Sequence, residues 1–571
     1  MNVDLLLTEA KVFNVYLKEW MVADVAIHQG RILFVGKSSG LELSAHKILS
    51  CQKYLLVPGF IDIHMHIESS FLSPRRFAEA VLPHGTTTVV SEPHEMANVF
   101  GIEGVREMIK AGEGAAIDIY YGVPSSVPST NSDVEGTGGV IDLHELKTLM
   151  EEEPKIVCLG EVMNYIDLVQ MKEGRARNFT NFMRKNYPFR AIEGHVPQIE
   201  GFDLAKVLFA GVDSDHCLQT PSGIKARAEA GMFIEIQEKS ITPENMAILN
   251  NQNMDGRFAL VTDDVSPDTL LKKGHIDHLI RKAVKAGLRF ESAILAATRS
   301  PAERIGFRDR GAIAPGRIAD FVMLNQQSST DISINQVIKG GNLEISEKET
   351  SLQEKKFFSL PFYTSINKLS CKENLFSIKA PSEKKIQYCR IIVKNKINTF
   401  TKEDHQPIPV QKGRLAWQKR DLNLVTVCNR YGSQVCAQGL IGGTIIREGA
   451  FCSSYAHDHH NILLVGDNPN DMEFLFSWLQ KGSGGIAFAS KGAIVAELSL
   501  PVAGLLSEAP PHEVAKRSEA IREALLRHGF EHPNPIMSLC TVTLPVSPSL
   551  KITDKGLVDT SKGEIVSLFV N

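Results

Sequence analysis

Between about residues 55 and 300, short unbroken apolar runs alternate with amphipathic stretches. The apolar runs are Leu55–His66, Thr86–Ser91, Ile117–Val123, Ile156–Glu161, Arg190–His195, Gly211–His216, Met232–Gln237 and Phe258–Asp263. Runs this short and this apolar read as strands buried on both faces. The stretches between them carry helical spacing, for example Arg75–Leu82, Gly104–Ala111, Leu143–Glu152 and Ile224–Ala230. Eight strands with intervening helices predict an α/β fold, a parallel (β/α)8 TIM-like barrel. A doubly wound open sheet competes, but it would not gather the ends of strands one, four, five, six and eight around one point.

The flanks follow other patterns. Residues 1–57 read as short strands and turns: Val22–His28 alternates, Gln29-Gly30 turns and Arg31–Val35 returns. After the helix Ser292–Arg299, the run Gly311–Leu324 becomes strand-like again and is expected to rejoin that first segment. The expected domains are a small β-sandwich module from 1–57 and 306–342, a catalytic barrel at 58–305, and a C-terminal α/β domain at 360–571. Residues 325–360 are polar and charged and suit a connecting segment. In the last domain strands are expected at Gln387–Val393, Leu424–Val427 and Ile462–Val465, and helices at Asp471–Gln480 and His512–His528.

Composition narrows the field. A 571-residue chain with 43% hydrophobic and 22% charged residues is an ordinary globular sequence. Its net charge of −4 gives no electrostatic case for nucleic acid or a membrane surface. No apolar run approaches the ~20 residues that span a bilayer, and the N-terminus lacks signal-peptide features. Cytoplasmic location is therefore expected. The nine cysteines include no Cys-x-x-Cys pair, which excludes zinc ribbons and the His-x-Glu, Pro-Cys-x-x-Cys nucleobase deaminases. They read as reduced, mostly buried thiols. Any metal must be held by His and carboxylate.

Such residues recur where barrel chemistry sits, at the C-terminal strand ends. His64 and His66 close the first strand, and alternation puts both on one face. Glu161 ends strand four, His195 strand five, His216 strand six and Asp263 strand eight. Any one of these alone reads as an ordinary structural group. Together, four imidazoles and two carboxylates exceed one tetrahedral site and suit two divalent metals with Glu161 between them. Asp62, one step deeper on the same face, reads as a group that orients a ligand.

With these residues in place, the chain resembles the amidohydrolase superfamily, through Pro58–His66, the Glu and His strand ends, Asp263 and the Gly311–Asp320 return. Within it, the chain resembles the bacterial-type adenine deaminase family. His64–Ser70, Pro93–Val99, Glu161–Asn164, Val261–Asp264 and Ala456–Asn461 carry this likeness over nearly the whole length. The resemblance implies hydrolysis of adenine to hypoxanthine and ammonia by attack of a metal-bound hydroxide on C6. The expected cofactors are two divalent ions, manganese first, with iron or zinc as alternatives. Asp263 is expected to move a proton from the hydroxide to departing ammonia. For Glu161, bridging the metals and protonating purine N1 both stay open. Glu68, Glu92, His94, Glu95 and Asp264, near the mouth, are expected to contact substrate or metal. The cluster His457, His459 and His460 is read either as a surface loop or as a group lent to the site by the C-terminal domain. A homodimer is the expected assembly.

Two positions depart from the family pattern: Glu92 stands where Asp is usual, and Gln237-Glu238-Lys239-Ser240 stands where Arg-Glu-Gly-Ser is usual. Gln237 removes a fixed charge, which bears on substrate range. Another amide or cyclic-amidine hydrolase of the superfamily is the alternative. Many of those use a carboxylated lysine where this chain has Glu161, which weighs against them. A catalytically dead scaffold would have lost ligands, and this chain keeps six.

Overall fold

The computed structural model describes residues 1–171, 173–251, 254–326, 332–344, 356–366 and 375–570. Much of the expected connecting segment, 327–331 and 345–355, lies outside the described residues. The part that is described is not a simple connector. Ile332–Lys339 and Asn342–Glu344 form an antiparallel hairpin that pairs with Phe321–Gln326. Its polar residues fit an edge position, where one strand face meets water.

The two flanking segments join into one sheet of eight strands, centred on Asn2–Asn14. That long strand pairs with Glu19–His28 on one side, and with both Ser44–Ser50 and Leu55–Pro58 on the other. Leu55–Pro58 in turn receives Phe321–Gln326. The sheet forks at Asn2–Asn14, and its ends approach each other. Arg31 bridges Ile318, and Ile32 and Ile338 share one core with Val25 and Phe321. Gln29 and Gly30, both at positive φ, make the tight expected turn.

The run Leu55–His66 is not one strand. It breaks at Gly59, leaving Leu55–Pro58 in the flanking sheet and Phe60–Met65 as the first barrel strand. A Cβ on Gly59 would lie 2.3 Å from Thr87 Oγ1, so the close approach requires glycine. Apolar content alone could not show the break, because both pieces are fully buried.

Seven more strands complete the barrel: Thr86–Ser91, Asp118–Val123, Ile156–Val162, Ala191–Gly194, Ser214–Asp215, Phe233–Ile236 and Phe258–Leu260. The first five run in parallel as one sheet and the last three as another. Asp213 N–H donates to Ile192 O at 3.3 Å across one seam. A parallel bridge from Met65 to Asp263, with Asp263 N–H donating to His64 O at 3.1 Å, closes the other. Side chains from six strands, among them Ile61, Val90, Val157, Ala191, Phe233 and Ala259, meet in one buried cluster. A packed interior leaves the strand ends as the place for chemistry.

The C-terminal domain carries a ten-stranded sheet that includes Ile386–Lys394, Asn423–Cys428 and Ile462–Gly466, with helices Pro469–Lys481 and Pro511–Arg527. It is fused to the barrel rather than tethered to it. Ser73 N–H donates to Ser507 O at 2.9 Å, and Ser507 N–H to Phe71 O at 2.7 Å. Phe71, Leu72 and Phe77 of the barrel share one core cluster with Tyr455, Leu505 and Val514.

Candidate metal centre

Six ligand-type side chains converge at one end of the barrel. His64 lies near the end of strand one and His66 just past it, while Glu161, inside strand four, is followed closely by the strand end. His195, His216 and Asp263 stand just past their strands, and Asp263 holds a positive φ of 58°. Glu161 occupies the middle. Its Oε1 faces His66 Nε2 at 3.5 Å, while Oε2 faces His195 Nδ1 at 2.8 Å and His216 Nε2 at 3.3 Å. Asp263 Oδ1 lies 3.6 Å from His66 Nε2 and 3.9 Å from His64 Nε2. The two carboxylates thus mark two adjacent groups of nitrogens, with Glu161 reaching both.

These spacings suit metal ligands. Metal–nitrogen and metal–oxygen bonds of ~2.1 Å at tetrahedral angles place ligand atoms about 3.4 Å apart. His64 Nε2 is buried without any hydrogen-bond partner, a costly state for a polar atom unless something else meets it. Burial, with His216 stacked on it at 3.9 Å between ring centroids, holds His64 well below the ordinary imidazole value. It therefore offers a lone pair. Burial opposes charge on His66 too, but Asp264, Glu161, Asp263 and Glu92 outweigh it and hold that ring up to about 10. Hydrogen bonds from His195 and His216 keep Glu161 ionised well below the usual carboxylate range, against its own burial. A field this negative around buried nitrogens is what a divalent cation neutralises.

A further layer fixes these groups. His66 Nδ1 is 3.2 Å from Glu92 O, which leaves Nε2 for the site. Glu92 Oε2 accepts from Glu161 N–H at 2.6 Å. Gly160 makes room for that carboxylate, since a Cβ there would lie 2.3 Å from it. Gln237 donates to His216 O at 2.7 Å, so its amide holds a ligand's backbone. Asp62 accepts from the backbone N–H of the ligand-type His64 at 3.3 Å and from Thr262 Oγ1 at 2.6 Å, tying strand one to strand eight.

The remaining candidates divide into two sets. Glu68 is fully buried and accepts from Met96 N–H at 3.4 Å. Asp264 accepts from Ser69 Oγ at 2.5 Å, Ser69 lies 3.2 Å from Tyr455 Oη, and Tyr455 donates to Glu95 at 3.1 Å. The C-terminal domain therefore reaches the barrel mouth. It does so through Tyr455, His457 and His460, both imidazoles contacting Glu95. His459 is turned elsewhere: its Nδ1 accepts from Asn461 N–H at 3.1 Å, within its own domain. Sequence reasoning missed Tyr455, which donates to Glu95, Asp458, which lies with His94, Glu95 and His457, and Cys217, which lies with His195 and His216. Asp458 had a signal, its place inside a histidine run. Tyr455 and Cys217 had none, because a buried tyrosine or cysteine is unremarkable until its neighbours are known.

A closed barrel with paired imidazoles around a central carboxylate defines a metal-dependent hydrolase of the amidohydrolase class, and residues 55–181 and 216–344 match the amidohydrolase family model. Residues 398–564 match the adenine deaminase C-terminal domain. The chain is 44% identical to adenine deaminase 2 of Shouchella clausii, with all of both chains covered. It is 41% identical to the adenine deaminase of Clostridium perfringens strain 13, over 100% of this chain and 99% of that one. The adenine deaminase of Kosmotoga olearia shares 34% identity over 99% and 96%. The chain belongs to the adenine deaminase family.

Proposed function

We propose that this chain hydrolyses adenine to hypoxanthine and ammonia at a pair of divalent metals, manganese by preference, held by His64, His66, Glu161, His195, His216 and Asp263. Family membership over the full length supports the reaction. One observation carries the site: the two oxygens of Glu161 face different imidazoles. When bound, such a pair lowers the pKa of a water and supplies hydroxide near neutral pH.

The residues divide the remaining work. Asp263, the least enclosed of the carboxylates in the ligand set, accepts the proton of the attacking water and passes it to the departing amine. Glu161 has both oxygens committed to imidazoles, so it would hold metal rather than protonate purine N1. That proton then falls to Glu68, two residues beyond His66, whose carboxyl is held up to about 8 by burial and by Glu95. Gln237 and Glu92 act through backbone groups of His216 and Glu161 rather than on the purine.

The test is a panel of purines and pyrimidines offered to the manganese-loaded protein. Adenine should be turned over in preference to cytosine and to N-acyl amides. Preference for a pyrimidine or an amide would overturn the assignment.

A further inference from the structure

A second constellation lies beside the proposed metal pair, where the C-terminal domain meets the start of the helix His94–Phe100 that follows strand two. His94 and Glu95 come from the barrel, and His457 and Asp458 from the facing domain; all four are buried. One ligand atom from each falls within 4.8 Å of the other three. Glu95 Oε1 lies 3.1 Å from His457 Nδ1 and 3.7 Å from His94 Nε2. Asp458 Oδ1 lies 3.1 Å and 4.0 Å from the same two nitrogens. These separations bracket the edge of about 3.4 Å expected around a cation with bonds of ~2.1 Å. They match the spacings of the main centre.

Hydrogen bonding alone accounts poorly for the cluster. His94 Nδ1 has no hydrogen-bond partner, and its Nε2 faces the two carboxylates at 3.7 and 4.0 Å, beyond hydrogen-bond reach. His457 Nδ1 stands at 3.1 Å from two carboxylates at once, so a single N–H there is shared between them. Asp458 Oδ2 is buried and unpartnered. One ion at the centre would take up His94 Nε2, His457 Nδ1 and the facing oxygens of Glu95 and Asp458, while His94 Nδ1, 3.8 Å from Glu92 Oε1, points away from it. Around it, Tyr455 Oη at 3.1 Å and His460 would support Glu95.

We infer that His94, Glu95, His457 and Asp458 bind a third divalent cation, which pins the C-terminal domain to the barrel beside the catalytic pair. Two imidazoles and two carboxylates suit manganese, iron or zinc. The His94 ring lies 4.6 Å from that of His66, centroid to centroid, so the ion would also steady one wall of the main centre.

The site adjoins the proposed pair, since a ligand atom of His94 also lies within 4.8 Å of His66 and Glu161, so the position of each metal is tested first and the count second. Crystals of the full-length protein loaded with Mn²⁺ should give an anomalous peak among these four side chains, in addition to any beside Glu161. A map with peaks at Glu161 and none here would overturn the inference and leave the pair intact. In solution, Asp458→Asn and His457→Gln should each bind one Mn²⁺ fewer per chain than the wild type. Folded variants, checked by circular dichroism, that keep the full wild-type count would equally overturn it, as a knot of protonated imidazoles and carboxylates would then explain the cluster.

Discussion

At the scale of single residues, the proposed mechanism separates groups that hold metal from groups that move protons. Asp263→Asn keeps the shape of the side chain and an oxygen ligand but removes the base. Turnover should fall by ~10²–10⁴-fold while most of the metal stays, as elemental analysis and initial rates would show. Near-normal turnover would place proton transfer elsewhere. Glu161→Gln should behave differently, because both its oxygens face imidazoles. Metal content and rate should fall together, and a variant that kept its metal and lost only rate would return Glu161 to the role of acid. Most of these residues were legible in sequence because spacing and strand order speak for them. The bond from Thr262 to Asp62 was not, since a side-chain tie between strands one and eight leaves no mark on the apolar pattern.

At the scale of elements, the junctions decide what the strands can present. The break at Gly59 hands one apolar run to two sheets, and only the contact with Thr87 reveals it. Helix starts matter similarly. Asp277, in the first turn of Ile276–Lys285, accepts from His275 N–H at 2.8 Å and from Arg281 at 2.7 Å, and lies 3.3 Å from His84. Burial opposes its charge, but His84 and Arg281 prevail and lower it from 3.8 to about 2. The folded chain therefore releases this proton more readily than the unfolded one. Its stabilisation is complete above about pH 4 and is lost as pH falls towards 2. Asp277→Asn should cost about 2 kcal/mol at neutral pH, read from denaturant midpoints, and the gap from wild type should narrow below pH 4. A gap independent of pH would remove the ionised carboxylate from the account.

At the scale of the whole molecule, the C-terminal domain is packed onto the barrel as one body. It shares a core with the barrel and sends Tyr455, His457 and His460 to Glu95. A chain ending near Asn342 should expose the apolar faces of Phe71, Leu72 and Phe77, aggregate and fail to deaminate adenine. A soluble, fully active truncated chain would show the domain to be dispensable. The sequence pointed to this domain through a histidine run ahead of an apolar strand. It could not say which histidines face the barrel, because that depends on how the two domains dock, and docking is written in shape rather than in periodicity. The eight-strand order was legible for the opposite reason, since each strand is a local apolar run.

The central claim is that adenine loses its amino group at the strand-end metal pair, and one measurement addresses it directly. Purified protein would be stripped of metal with a chelator, restored with manganese and given adenine at each stage, following hypoxanthine and ammonia together. The account predicts equimolar hypoxanthine and ammonia from the loaded protein, none from the stripped one, and recovery on restoration. Turnover that survives complete removal of metal, or a fully loaded protein that leaves adenine untouched, would contradict it.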